Sequence, residues 1–237
     1  MEGPSTRADL RARIVGVAAH LLEEHGSAAL TTRGVAEASG VQAPTLYRLF
    51  GDKDGLLEAV AEFVLATYVS GKAETVKAAS AAEVDPLDDL RAGWQSQIDF
   101  GVAHPDLFRL LSDPSRARHS AAAQSGKQVL EVRVHRVAAS GRLRVSEKRA
   151  VDLIQAAGTG TIQTLLATPP DERDPGLAQA MFDAVQSQIL NDAPEHGQDT
   201  PIATAVALRA VAPGLDMLSE AERQLLVEWL DRAIEAL

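Results

Sequence analysis

Residues 40–57 read GVQAPTLYRLFGDKDGLL. Apolar positions recur here at helical spacing, yet two glycines and a proline interrupt them. Gly40 reads as the left-handed end of a short helix that begins in LTTRGVAEAS, with Thr31 or Thr32 as its cap. Pro44 fits the first turn of the next helix, where its missing N–H costs nothing. That helix stops at Phe50-Gly51, and Asp52 can cap the longer one that follows. Two short helices joined at Ser39-Gly40-Val41 match a helix-turn-helix.

The spacing gives each side of this unit a task. Val35, Ala36, Val41, Leu46 and Phe50 brace the second short helix from behind. Gln42, Thr45 and Arg48 project outward from it. Glutamine pairs with adenine, and arginine binds guanine through two hydrogen bonds. Thr32, Arg33, Tyr47 and Lys53 suit phosphate oxygens. The helix start at Asp52-Lys53 adds free backbone N–H groups and the positive end of a helix dipole. Such a unit is built to enter the major groove of double-stranded DNA.

Charge restricts where that contact can be. The chain has 237 residues and a formal net charge of −10, so it does not coat nucleic acid. Residues 1–54 hold six Lys/Arg and seven Asp/Glu, against 17 and 26 in the remainder. DNA contact therefore rests on a local N-terminal patch. Cysteine is absent, which excludes disulfides, thiolate metal sites and cysteine nucleophiles. The apolar stretch from Ile14 to Leu22 is short and acidic on both sides, unlike a signal peptide. No run approaches the roughly 20 apolar residues of a membrane span. The expected setting is cytoplasmic, with no membrane partner.

Strand signals are almost absent, and apolar residues recur at three and four throughout. Helices are expected over about 53–79, 86–103, from 105, 117–140, 146–168, 177–190, 202–211 and 220–236. Loops are expected at TPPDERDPG and NDAPEHGQDTP. Ser219 and Glu222 have capping-box spacing at the last helix. The fold class is all-α: a three-helix N-terminal segment with the helix-turn-helix, then a larger helical domain.

The stretch LTTRGVAEASGVQAPTLYRLFGDKDGLLEAV closely resembles the DNA-binding segment of TetR-family transcriptional regulators. Its carriers are Thr-Thr-Arg, Ala-x-x-x-Gly-Val, Pro-Thr-Leu-Tyr and Lys-x-x-Leu-Leu, within residues 9 to about 63. The resemblance implies a homodimer on palindromic operator DNA, usually a repressor, released when a small-molecule effector binds the larger domain. Residues 1–54 would be the DNA-binding domain and 55–237 the effector-binding and dimerisation domain. Arg33, Pro44, Thr45, Tyr47 and Lys53 would contact or position DNA, while Gln42, Ala43 and Arg48 would set the operator sequence. Two positions depart from the pattern: Gly34 replaces a larger residue, and Leu49 stands where a polar or aromatic group is usual. The helices after residue 200 make the chain long for the family.

By the same comparison, Tyr68, Trp94, Gln97, Phe108 and His135 fall on helices that surround the effector. Core packing is the alternative for each. Trp94 and Gln97 share a helix face by their three-residue spacing. His104 either lines that pocket or ends its helix. The GTGT run at 158–161 has no strand before it and reads as close helix packing rather than a phosphate loop. The resemblance places that helix and 177–190 in a four-helix dimer seam. The nine Lys/Arg and two Asp/Glu between Arg116 and Arg149 read as a solvated helix face, with an anionic effector as the alternative. No cofactor, metal or catalytic residue is expected: the six histidines lack metal spacing, and no nucleophile–base pair appears. Asp88 and Asp89, being adjacent, point to different sides. A helical ligand-binding or protein-interaction module without DNA binding is the rival reading.

Overall fold

A computed structural model describes residues 7–191 and 201–236. These form α1 (Arg7–His25), α2 (Thr32–Ser39), α3 (Ala43–Phe50), α4 (Lys53–Ala81), α5 (Pro86–Ala103) and α6 (Pro105–Leu111). Then follow α7 (Pro114–His119), α8 (Ala121–Ala139), α9 (Glu147–Ala167), α10 (Leu177–Ile189), α11 (Pro201–Val211) and α12 (Glu220–Ala236). Extended pairing among the described residues is limited to one antiparallel bridge, Leu143–Leu190. The fold is all-α, as the periodicity requires. Most of the NDAPEHGQDTP loop lies outside the described residues.

The helices pack as two compact units. One comprises the described part of Met1–Gly71 with Pro105–Gly126, the other Lys72–His104 with the described part of Lys127–Leu237. Helices α4 and α8 contribute to both. These units are drawn elsewhere than the expected division at residue 54.

In the first unit, α1 buries Ile14, Val15, Ala18, Ala19 and Leu22. The Thr31 hydroxyl caps α2 by accepting from Gly34 N–H at 2.9 Å. Gly34 is close-fitted there: a Cβ would lie 2.9 Å from the Ala29 carbonyl oxygen. The sequence suggests one helix over 117–140, but the chain breaks at Ser120. Glu62 causes the break, because its carboxylate accepts from Ser120 Oγ at 2.6 Å and from Ala122 N–H at 2.8 Å. Ser120 Oγ then accepts from Ala123 N–H at 2.9 Å and starts α8 afresh.

In the second unit, α5, α9 and α10 enclose Trp94, Ile98, Ile154, Ile162, Phe182 and Ile189. Close crossing of α5 and α9 depends on small residues. A Cβ on Gly101 would sit 2.7 Å from Ile162, and one on buried Gly158 would lie 3.3 Å from Gln97 and 3.5 Å from Trp94. Gly158 and Thr161 of the GTGT run are therefore packing surface, while Gly160 is exposed.

The basic stretch is only in part a solvated face: Arg118, Lys127, Lys148 and Arg149 are exposed, but the other arginines are engaged. Arg133 is 4% exposed, and with Arg136 it binds the buried carboxylate of Asp89, while neighbouring Asp88 faces solvent. Arg142 pairs with Asp85 at 2.9 Å. The Arg144 guanidinium donates to the Ser187 and Gln188 carbonyls at the α10 C-terminus, where a cation suits the dipole. These arginines tie helices together because each meets a carboxylate or carbonyl that lies far away in sequence. The last two helices join the same unit: Arg209 bridges Asp231 at 2.9 Å and Glu147 at 3.8 Å. Ser219 N–H donates to Glu222 at 2.8 Å, completing the expected capping box.

Two substitutions check this packing by urea unfolding. Gly101→Ala should cost about 1–3 kcal/mol through overpacking against Ile162, and Ile162→Val should recover part of it. Helix propensity alone has Gly34→Ala stabilising by about 1 kcal/mol. The Ala29 carbonyl reverses the expected sign, so a stabilised Gly34→Ala protein would contradict the tight α2 start.

Candidate nucleic-acid interface

Helix α2 ends as the sequence suggests. Gly40 is left-handed (φ 66°), and Val41 N–H donates to Ala36 O at 2.9 Å. The chain can then turn sharply into α3. Gln42 precedes α3 in extended conformation and makes no side-chain cap, so its amide remains available. Pro44 occupies the first turn. Helix α3 buries Leu46 at 2% exposure, over Val35 and Ala36 of the brace, which are also buried. Burying one such leucine contributes about 1.5–3 kcal/mol. Val41 and Phe50 are only half-buried.

The corner between α3 and α4 is unusually tight. Asp52 Oδ1 caps α4 by accepting from Gly55 N–H at 2.8 Å. At Gly55, a Cβ would lie 2.1 Å from the Phe50 carbonyl oxygen. No side chain fits there, so Gly55 fixes how Lys53 follows α3. Sequence reading had singled out the Asp52 cap and Lys53 without seeing this requirement.

The DNA candidates lie together on this helix pair and its corner. Gln42, Pro44, Tyr47 and Arg48 are exposed, Tyr47 to 51%. Ala43 and Thr45 are half-buried beside them. Arg33 at the start of α2 and Lys53 at the start of α4 are exposed, and Thr32 is half-buried. The side chains of Thr32, Arg33, Gln42, Thr45, Tyr47, Arg48 and Lys53 form no hydrogen bond or ion pair with another described residue. A short helix thus has one apolar side held and one polar side unengaged.

Two arginines went unnoticed in the sequence. Arg7 donates to the Arg48 carbonyl at 3.1 Å, and the Arg11 guanidinium lies 5.1 Å from the Phe50 ring centroid. Both secure the C-terminal end of α3 to α1. Their four-residue spacing, which puts them on one side of α1, was the available signal.

The effector candidates divide between the units. Tyr68 and Phe108 are half-buried in the first. In the second, Trp94 is buried, donates its indole N–H to the Ala178 carbonyl at 3.0 Å and stacks 5.5 Å from Phe182. Gln97 is half-buried against Gly158, the face it shares with Trp94. His135 is exposed and lies 3.3 Å from Glu147. His104 ends α5, its N–H donating to the Phe100 carbonyl at 3.0 Å. Among the described residues no cluster of His, Asp or Glu is arranged to hold a metal ion, and no helix is long and apolar enough to cross a membrane.

Comparison with known proteins converges on this end of the chain. Residues 14–60 match the family model for bacterial regulatory proteins of the tetR family. The HTH-type transcriptional regulator BetI of Paraburkholderia phytofirmans is 34% identical over 89 residues, 38% of this chain and 44% of that protein. The nucleoid occlusion factor SlmA of Vibrio vulnificus is 29% identical over 109 residues, 46% of this chain and 54% of that protein. The chain thus spans about half the length of these curated relatives. Thermus thermophilus FadR, a TetR-family transcriptional repressor solved with lauroyl-CoA, is similar in fold. Its TM-score is 0.60 at 22% identity, over 79% of this chain and 100% of that one. The segment that carries the helix-turn-helix is the segment that matches the tetR-family model, and the likeness to FadR extends the shared helical fold over most of the chain.

Proposed function

We propose that the protein is a ligand-responsive transcriptional regulator. It binds a palindromic operator as a homodimer through residues 1–54, and it acts as a repressor that lets go when a small molecule occupies residues 55–237. The observation that carries this reading is the half-engaged α3. Leu46 is buried while the side chains of Gln42, Thr45, Tyr47 and Arg48 have no hydrogen-bond or ion-pair partner among the described residues. Gln42, Thr45 and Arg48 face base edges, with Ala43 leaving room for close approach. Pro44 stiffens the helix start, and Thr32, Arg33, Tyr47 and Lys53 hold phosphates.

Charge placement along α1 favours the same side. Arg7, Arg11 and Arg13 occupy its start, beside the end of α3, while Glu23 and Glu24 occupy its end, about 24 Å away at 1.5 Å per residue. Both groups oppose the helix dipole. A near-neutral segment can in this way present three arginines toward DNA, with Asp9 the one acidic residue of α1 that shares that end. For self-association, the outward faces of α9 and α10 carry small and polar groups at helical spacing. Ala156, Gly160, Gln163 and Ala180, Asp183, Ala184 are exposed, a surface that allows close helix approach. FadR's complex with lauroyl-CoA is the precedent for an effector in the second segment.

A gel shift against DNA upstream of the protein's own gene tests the reading, with half-sites expected about 34–36 Å apart or at a multiple of that distance. Lys53→Ala should weaken binding to all duplexes and lower the salt slope by about 1, whereas Arg48→Ala should relax base preference at one position per half-site. Equal loss on specific and random DNA in both variants would overturn this division of roles.

A further inference from the structure

Asp89, Gly93 and Gln97 recur every fourth residue and so lie along one side of α5. Asp89 accepts from Arg133 Nε at 3.1 Å and from Arg136 at 2.5 Å, so one buried carboxylate serves two guanidinium groups. The Arg133 guanidinium occupies the space a side chain at Gly93 would fill, 2.7 Å from that Cβ position. From the C-terminal part of α4, the Lys72 ammonium donates to the Gly93 carbonyl at 3.3 Å. Burial, and after it the Arg133 charge, lower the Lys72 pKa from 10.5 to about 8. Lys72, Arg133 and Arg136 are the cations among these four named groups, and Asp89 is the anion. Neither the DNA-reading end nor the outward faces of α9 and α10 uses them.

We propose that Lys72, backed by Arg133, is an oxyanion-binding site in the second unit, and that the effector delivers a carboxylate or phosphate group to it. The chemistry follows from the crowding. A half-buried ammonium held beside a guanidinium is strained toward its neutral form, and an arriving oxyanion relieves that strain. Low local polarity strengthens the new charge-assisted hydrogen bond. Gln97, one turn beyond Gly93, supplies an amide donor that can orient the rest of the ligand. Asp89 keeps the two arginines in place and, by its own charge, disfavours a second anion. Binding reprotonates Lys72, so the complex takes up protons above about pH 8. The site's meaning as an effector site rests on the regulatory reading; its affinity for anions does not.

The test uses the full chain without DNA, so its failure is distinct from failure of the gel shift. Lysine labelled with carbon-13 at Cε is followed by NMR across pH in phosphate, acetate and chloride at equal ionic strength, with Lys72→Met assigning the signal. Phosphate or acetate should raise the Lys72 midpoint by about one unit over chloride. The same anion should raise the unfolding temperature of the parent protein but not of Lys72→Met. A response to phosphate alone points to a phosphate-bearing effector, and to acetate alone, a carboxylate-bearing one. A midpoint equal in all three salts, or stabilisation that persists in Lys72→Met, would overturn the site.

Discussion

The structure depends most on how little holds α3. Eight residues carry one deeply buried side chain, Leu46, and the rest of the helix's position is set at its two ends. At the front, the left-handed Gly40 and the Val41–Ala36 hydrogen bond fix the turn from α2. At the back, the Asp52 cap and the absent Gly55 side chain fix the turn into α4. An isolated helix of this length does not persist in water. Its order is borrowed from these two corners and from the Arg7 and Arg11 contacts with α1. The outward residues can therefore be chosen for recognition, because folding makes no demand on them.

The second unit follows a different economy. Its helices are drawn together by small residues at the α5–α9 crossing and by arginines that reach distant carboxylates and carbonyls. Removing one partner of such a buried pair costs about 3–5 kcal/mol, because the other charge stays buried without compensation. The net charge of −10 thus conceals a locally cationic interior at Lys72, Arg133 and Arg136. Helices α11 and α12 are bound into the same network through Arg209, Glu147 and Asp231, which gives the residues beyond 200 a structural part.

Much of this was legible in the sequence where the cause is local. Gly40, Pro44, Asp52 and the Ser219–Glu222 box act within four residues, so their spacing alone identifies them. Several helix limits, such as Pro86–Ala103, follow from caps and periodicity. What escaped was set at long range. The break at Ser120 is imposed by Glu62, 58 residues earlier. The arginine stretch looked solvated because Asp89 and Asp85 are far from it in sequence. Trp94 and Gln97 were paired correctly on one face, but spacing could not show that Ala178 takes the indole N–H. Gly34 stood out only as a departure from the family pattern, whereas it is the residue that the Ala29 carbonyl admits.

The central claim is that α3 reads the major groove from both halves of a dimer. Methylation interference on a duplex selected from random DNA measures this most directly, because dimethyl sulfate marks guanine N7 in the major groove and adenine N3 in the minor groove. The account predicts interference at guanine N7 in two symmetric half-sites, separated by one helical turn or a multiple of it. Interference confined to adenine N3, or the failure of any duplex to be enriched, would contradict it.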